Sequence, residues 1–244
     1  MISSTHQNTT LAKHDGSGYI VNNRMKTIKL NALEERVPVG KIVCLGRNYA
    51  DHAREMKAPL PSKPVIFLKP STALISDGET IVRPALSTEL HHEVELVVMI
   101  GKEGKDVSPV KAYEHVWGYA VGLDMTLRDI QVEAKDHGLP WAVAKGFDTS
   151  APISEIIPKQ RVPDPHALEI RCWVNGIVRQ KSSTGNMIFS IDQIISYVSS
   201  IFTLEVGDLI FTGTPEGVGE VKNGDTVAAE LVGYTKITHQ IRTA

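Results

Sequence analysis

Glu93 and Glu95, in the run His91-His92-Glu93-Val94-Glu95-Leu96, lie two residues apart, and in an extended strand that spacing points both carboxylates to one face. On their own, alternating charged and apolar residues describe a half-solvated strand face equally well. Asp124 changes the balance, because it ends an apolar run, Tyr119-Ala120-Val121-Gly122-Leu123, where a carboxylate is costly unless it is paired or bound to metal. Three carboxylates make a hard oxygen donor set, suited to Mg²⁺ or Mn²⁺ rather than zinc or copper, and Mg²⁺ commonly keeps open positions for water or substrate oxygens. His91 shares the parity of the two glutamates, so an iron site of the two-histidine type is the competing reading. Only one of the adjacent histidines can face that side, and no second suitably placed histidine follows.

Other residues offer complementary chemistry. His52 and Glu55 are spaced i, i+3 on a short helix, so the carboxylate can orient the imidazole and raise its basicity, although casual surface pairs share that spacing. Lys145, in Ala142-Val143-Ala144-Lys145-Gly146-Phe147, sits in an apolar run where it either binds a carboxylate or enolate or snorkels out of a strand end. Arg128 and Gln131 lie at i, i+3 on the helix that starts just after Asp124, close to the carboxylates by chain geometry alone. Thr212-Gly213-Thr214-Pro215-Glu216-Gly217-Val218-Gly219 follows a strand but lacks the Lys-Ser or Lys-Thr and the helix of a nucleotide loop. It reads instead as a rigid loop presenting the Thr214 hydroxyl and backbone N–H groups to an anion.

The elements that must hold these residues are mostly strands. Lys41 to Gly46, Val65 to Leu68, Glu93 to Ile100, Tyr119 to Leu123, Leu209 to Thr212, Thr226 to Leu231 and Lys236 to Ile241 are short β-prone runs bounded by turn residues. Asn175-Gly176 between two extended runs predicts a type I′ hairpin. Helices are expected over Asn48 to Met56 with Asn48 as cap, Thr126 to Asp136 with Thr126 as cap and Gly138 as stop, and Met187 to Phe202 with an apolar stripe of Ile191, Ile194, Ile195, Val198 and Ile201. The βαβα alternation of a doubly wound fold is absent, so the class is mixed α+β, mostly β and mostly antiparallel.

Bulk properties exclude several functions. A chain of 244 residues, 42% hydrophobic and 22% charged, has a globular composition and core. Its 26 Lys and Arg against 28 Asp and Glu give a net charge of −2, without the basic excess that nucleic-acid binding draws on. The longest apolar runs fall far short of the roughly 20 residues that span a bilayer, so no membrane partner is expected. Residues 1–35 read as a loosely ordered N-terminal arm: the first part is rich in Ser, Thr, Asn and His, without a secretory apolar stretch, and with Arg24 and Asp15 it is a poor match to a transit peptide. Cys44 and Cys172 form no metal spacing and read as reduced packed thiols, which places the protein in the cytoplasm.

Taken together and in this order, Gly46-Arg47-Asn48-Tyr49, His52 and Glu55, HHEVEL, Leu123-Asp124, Ala144-Lys145-Gly146-Phe147-Asp148 and TGTPEGVG resemble the fumarylacetoacetate hydrolase family, from about Val39 to the end of the chain. The stretches GRNYADHAREM, FLKPSTAL, GLPWAVAKGFD and MIFSIDQIISYVS resemble its acylpyruvase and oxaloacetate decarboxylase (tautomerase) branch. The resemblance implies a β-roll or β-sandwich catalytic domain over 36–244 and a homodimer. It implies Mg²⁺ or Mn²⁺ on Glu93, Glu95 and Asp124, and a His52–Glu55 dyad on a lid. It further implies substrate contacts from Arg47, Gln131, Lys145 and Thr214, to which chain geometry adds Arg128. The substrate implied is a small 2-oxo acid that reacts through a metal-bound enolate, by acylpyruvate hydrolysis, oxaloacetate decarboxylation or keto–enol tautomerisation. In this scheme His52, oriented by Glu55, is the base for water in hydrolysis, and Lys145 holds the carboxylate or enolate. The rivals are an isomerase, decarboxylase or hydratase of longer dicarboxylic 2-oxo acids, and a non-catalytic β protein that binds Ca²⁺ structurally.

Overall fold

Continuous β-branched runs such as Val94–Ile100, buried along their whole length, need apolar cover on both faces, and the architecture supplies it with two sheets packed about a shared core. The computed structural model describes residues 26–31, 35–57 and 59–244. Its largest sheet has eight strands. Seven run in the order Val65–Lys69, Ile42–Gly46, Leu209–Phe211, Val94–Ile100, Val116–Leu123, Ala151–Ile153 and Leu74–Ser76. A five-stranded sheet of Ile177–Ser183, Glu169–Val174, Thr226–Leu231, Thr235–Thr243 and Ile81–Arg83 packs against it. Strand parity divides the core. Leu96, Val98 and Ile100 face the second sheet with Ile170, Cys172 and Ile237, whereas Val97 and Met99 face a separate cluster with Cys44, Leu209 and Phe211. The mixed α+β, predominantly β class expected of the sequence is the class observed.

Of the expected N-terminal arm, residues 1–25 and 32–34 lie outside the described residues. Thr27–Lys29 pairs antiparallel with Arg36–Pro38, and Ile28 and Leu30 are buried, so this part of the arm belongs to the folded body. Asn175 and Gly176 both have positive φ, 52° and 78°, the geometry of the expected type I′ hairpin. Three helix boundaries differ from expectation, and in the first two a polar side chain is drawn into tertiary contacts. Asn48 does not cap the helix Ala50–Glu55. Its buried amide donates to the Thr212 and Phe189 carbonyls at 2.8 and 3.1 Å and accepts from the Phe189 N–H at 2.8 Å. Thr126 lies in a two-residue strand, and its hydroxyl is engaged by Asp124 and Lys145, so the helix begins at Arg128. The last long helix is Ile191–Ile201, opened by a capping box of Ser190 and Gln193; Ile201 at its end is exposed, and Ser199 is buried instead. Lys145 ends a short helix, Ala142–Lys145, and not a strand.

The helix Arg128–Asp136 is anchored by its own second residue. Asp129 accepts hydrogen bonds from the Ser87 hydroxyl at 2.6 Å, the Thr88 N–H at 2.7 Å, the Thr88 hydroxyl at 3.0 Å and the Ile130 N–H at 2.9 Å. Partial burial pushes its carboxyl up, but these donors outweigh burial and hold it below its ordinary value of 3.8. A depressed carboxylate stabilises the fold fully above its unfolded pKa and loses that contribution as pH falls through the lower folded value. Asp129→Asn should therefore cost about 1 kcal/mol at pH 7, below the usual worth of charge-assisted bonds because the site is partly exposed and solvent screens it. In urea titrations from pH 7 downward, the gap between variant and parent should close below the ordinary carboxylate value.

Candidate metal centre and active site

The carboxylates meet because of sheet register. Val94 pairs with Leu123 and Glu95 with Gly122, and one further step along the ladder sets Glu93 opposite Asp124. The Asp124 N–H donates to the Glu93 carbonyl at 2.8 Å, so the two backbones are tied directly. Ligand oxygens of Glu93, Glu95 and Asp124 lie within 4.8 Å of one another, and all three residues are buried. No histidine joins this cluster among the described residues. His91 pairs with Glu89 at 2.6 Å, and His92 contacts the buried Gln180 at 3.0 Å, which removes the two-histidine reading.

Three buried cations surround these anions. Lys145 Nζ lies 2.8 Å from Glu93 Oε2, 2.6 Å from Asp124 Oδ2 and 2.6 Å from the Thr126 hydroxyl. Arg128 pairs with Glu93 and donates to the Gln131 side-chain oxygen at 2.5 Å. Lys69 Nζ sits 2.8 Å from Asp124 Oδ1 but outside hydrogen-bonding geometry, and it donates to the Lys145 carbonyl. Burial pushes the Glu93 carboxyl up, yet Lys145 and Arg128 override it and hold Glu93 well below the usual range. The same anions keep the Lys145 ammonium above its ordinary value against the opposing effect of burial.

Glu95 is different. No Lys, Arg or His forms an ion pair with it among the described residues, and the Gly213 N–H at 2.7 Å is its hydrogen-bond donor. Burial, then the charges of Asp124 and Glu93, push its carboxyl well above the usual range. A buried carboxylate in this position needs either a proton or a cation. The hard oxygen set, closely gathered and with no cation at Glu95, fits a divalent ion of the Mg²⁺ or Mn²⁺ kind.

The three carboxylates form one wall of a cavity of about 220 Å³ that Arg47, His52, Arg128, Gln131, Lys145 and Thr214 also line. His52 Nδ1 lies 3.2 Å from Glu55 Oε2, and the Glu55 carboxylate accepts the Gly217 N–H at 3.1 Å. The helix bearing the dyad is thereby fastened to the 212–219 loop. That loop does present N–H groups to anions, but the anions are Glu95 and Glu55 of the chain itself. Gly213 has φ +99°, and a Cβ there would stand 2.6 Å from Asn48 Cβ, so glycine is what allows the approach.

The chain has counterparts among known proteins. The model of the fumarylacetoacetate (FAA) hydrolase C-terminal family matches residues 41–242. The chain belongs to the fumarylacetoacetate hydrolase family. Mouse oxaloacetate tautomerase FAHD1, mitochondrial, is 52% identical over 201 residues, which cover 82% of this chain and 91% of the mouse protein. The Arabidopsis thaliana protein of the same name is 50% identical over 201 residues, covering 82% and 90%. Among solved structures, fumarylpyruvate hydrolase from Pseudomonas aeruginosa, in complex with Mn²⁺ and pyruvate, superposes with a TM-score of 0.89 at 38% identity over 93% of this chain and 100% of the other. These relatives are enzymes of one fold, and this chain is an enzyme of the same family.

Within that family frame, the ten residues named as catalytic, substrate-binding or metal-ligating candidates fall at one site: all but Glu55 line the cavity, and Glu55 holds His52, whereas the rival ligand His91 lies outside it. Lys69, Phe67, Trp141 and Lys135 also line or support the site and were not singled out. Lys69 carried a readable signal, a lysine closing an apolar strand, the same anomaly that marked Asp124. Phe67, Trp141 and Lys135 looked like ordinary core or surface residues. The exposed charge and ring simply converge on the mouth once the helices are placed.

Glu95→Gln separates charge from shape. Removing the uncompensated carboxylate should raise the melting temperature of the chelator-treated protein by a few degrees and abolish the further rise that saturating Mg²⁺ or Mn²⁺ gives the parent. Differential scanning calorimetry with and without metal reads both effects.

Proposed function

We propose that the chain is a Mg²⁺- or Mn²⁺-dependent enzyme that acts on small 2-oxo acids through an enolate, with oxaloacetate keto–enol tautomerisation or decarboxylation and acylpyruvate hydrolysis as its reactions. The observation that carries this reading is the buried trio Glu93, Glu95 and Asp124, with no cation paired to Glu95, facing the same cavity as Lys145 and the His52–Glu55 pair. A structural Ca²⁺ site would leave those last three residues without a purpose. The tautomerase name of the FAHD1 relatives and the Mn²⁺–pyruvate complex of the fumarylpyruvate hydrolase agree with this substrate class.

When bound, the metal supplies Lewis-acid stabilisation of negative charge on the C2 oxygen of a 2-oxo acid. The chain's residues do the rest. Lys145, held by Glu93 and Asp124, places a positive charge beside the developing enolate, and Gln131, oriented by Arg128, offers its amide N–H to the substrate. His52 is the group that moves a proton. Its Nδ1 is engaged by Glu55, which leaves Nε2 to take a proton from water in hydrolysis or from C3 in tautomerisation. Thr214, whose hydroxyl donates to the Val94 carbonyl at 2.8 Å and accepts from Gln180, shapes the wall beside Glu95. Both cysteines are buried and free, which suits the reducing cytoplasm or an equally reducing organelle. The expected homodimer belongs to the same proposal.

The test is an assay of purified protein, with Mg²⁺ and with chelator, on acetylpyruvate, fumarylpyruvate and both tautomers of oxaloacetate. Chelator should abolish every activity. His52→Ala and Glu55→Ala should cut acylpyruvate hydrolysis about 100-fold or more, the usual contribution of a positioned base, while oxaloacetate decarboxylation falls much less. Equal losses in both reactions would overturn the role given to the dyad.

A further inference from the structure

The cations of the cavity fall into two sets. Lys69, Lys145 and Arg128 are consumed by Asp124 and Glu93 at the inner end. Arg47 and Lys135 line the same cavity, and neither forms an ion pair among the described residues. Arg47 Nε is buried without a hydrogen-bond partner, on a residue held at φ +59°, a conformation costly for a side chain of this size. A buried donor left unpaired costs free energy that a ligand acceptor would return.

Lys135 belongs to the outer end of a built line. Arg128, Gln131 and Lys135 stand at i, i+3 and i+7 of one helix and so share a face. Arg128 meets Glu93 at the inner end, and Lys135 lies roughly 10 Å further along the helix axis. Its ammonium sits 5.3 Å from the centre of the Trp141 ring, which also meets Phe67 edge to face at 5.8 Å. Partial loss of hydration, then the charges of Arg128, Lys145 and Arg47, press its pKa down against the opposing pull of Glu93, a sign of positive charge gathered at the mouth. Between the two ends, Phe67 and Trp141 offer an apolar surface suited to a short carbon chain.

We propose that Lys135, with Arg47, forms a second anion subsite that receives the distal carboxylate of a dicarboxylic 2-oxo acid, making Lys135 a specificity-determining residue. The inference rests on the 2-oxo acid reading and deepens it: the preferred substrates carry a carboxylate at both ends, one at the metal and one at the mouth. A monoacid such as acetylpyruvate leaves the outer cations unpaired. Lysine suits the place because its flexible stem lets one ammonium follow carboxylates at different distances.

Malate and lactate test this directly. Both are 2-hydroxy acids, they differ in one distal carboxylate, and neither carries the 2-oxo group that the reaction needs. Calorimetric titration into the full Mg²⁺-loaded chain should show tighter binding of malate. Lys135→Met should lower the malate-to-lactate affinity ratio roughly 10-fold, as loss of one partner in a close charge pair does, and Lys135→Arg should keep it. In turnover, Lys135→Met should lower kcat/KM for oxaloacetate relative to acetylpyruvate through KM rather than kcat. An unchanged malate-to-lactate ratio in Lys135→Met overturns the proposal. If the parent turns over no 2-oxo acid, the functional reading fails separately, and the binding ratio still decides whether the subsite exists. Lys135 is exposed at the rim, so its substitution leaves the core intact.

Discussion

Burying three carboxylates within a few ångströms of one another is the constraint on which the rest of this structure depends. Each such group costs several kcal/mol to remove from water unless opposite charge replaces the lost hydration. Lys69, Lys145 and Arg128 provide that charge for Glu93 and Asp124, from a strand, a short helix and a longer helix. Glu95 receives one backbone N–H and no cation. Replacing a buried ion network by apolar residues is often neutral or stabilising, so a network left incomplete at one carboxylate argues for a ligand rather than for stability.

The sheet is what makes the constraint usable. Antiparallel register sets Glu93 opposite Asp124, and period-two alternation returns Glu95 to the same face. Around this edge, shorter elements bring in the remaining polar groups. Glu55 links the dyad helix to the 212–219 loop through Gly217, and Asn48 ties the same segment to Thr212 and Phe189. The two glycines of that loop with positive φ, Gly213 and Gly217, lie where a side chain would strike Asn48 or the Arg179 carbonyl. The proposed base and the carboxylate cluster, on different elements, are thereby held in fixed relation, the preorganisation that proton transfer next to a developing charge requires.

Charge varies along the cavity in a way that bears on selection between substrates. The inner end is formally balanced, three carboxylates against Lys69, Lys145 and Arg128, but the cations sit on Glu93 and Asp124 and leave Glu95 without one. The outer end holds positive charge from Arg47 and Lys135 against the apolar faces of Phe67 and Trp141. One enolate chemistry can serve several reactions, so the groups that hold the far end of the substrate, rather than those that stabilise the enolate, are where members of one scaffold diverge.

By itself the amino-acid sequence determined the local features. Period-two spacing set Glu93 and Glu95 on one face, the apolar run before Asp124 marked a carboxylate out of place, and Asn175-Gly176 specified its turn, because these depend on neighbours within a few residues. The ordered blocks also identified the family. Tertiary structure decided what depends on distant partners: that Asn48 and Thr126 serve long-range hydrogen bonds instead of caps, that Lys69 enters the carboxylate network, and that Arg47 and Lys135 come to one cavity mouth. A hydrogen-bonding side chain next to a helix can satisfy its own backbone or a distant one, and the buried group that would otherwise go unpaired decides which. The three carboxylates, Lys145 and Arg128 could thus be found by reading along the chain, while Lys69 and the pairing that leaves Glu95 without a cation had to be found by folding it.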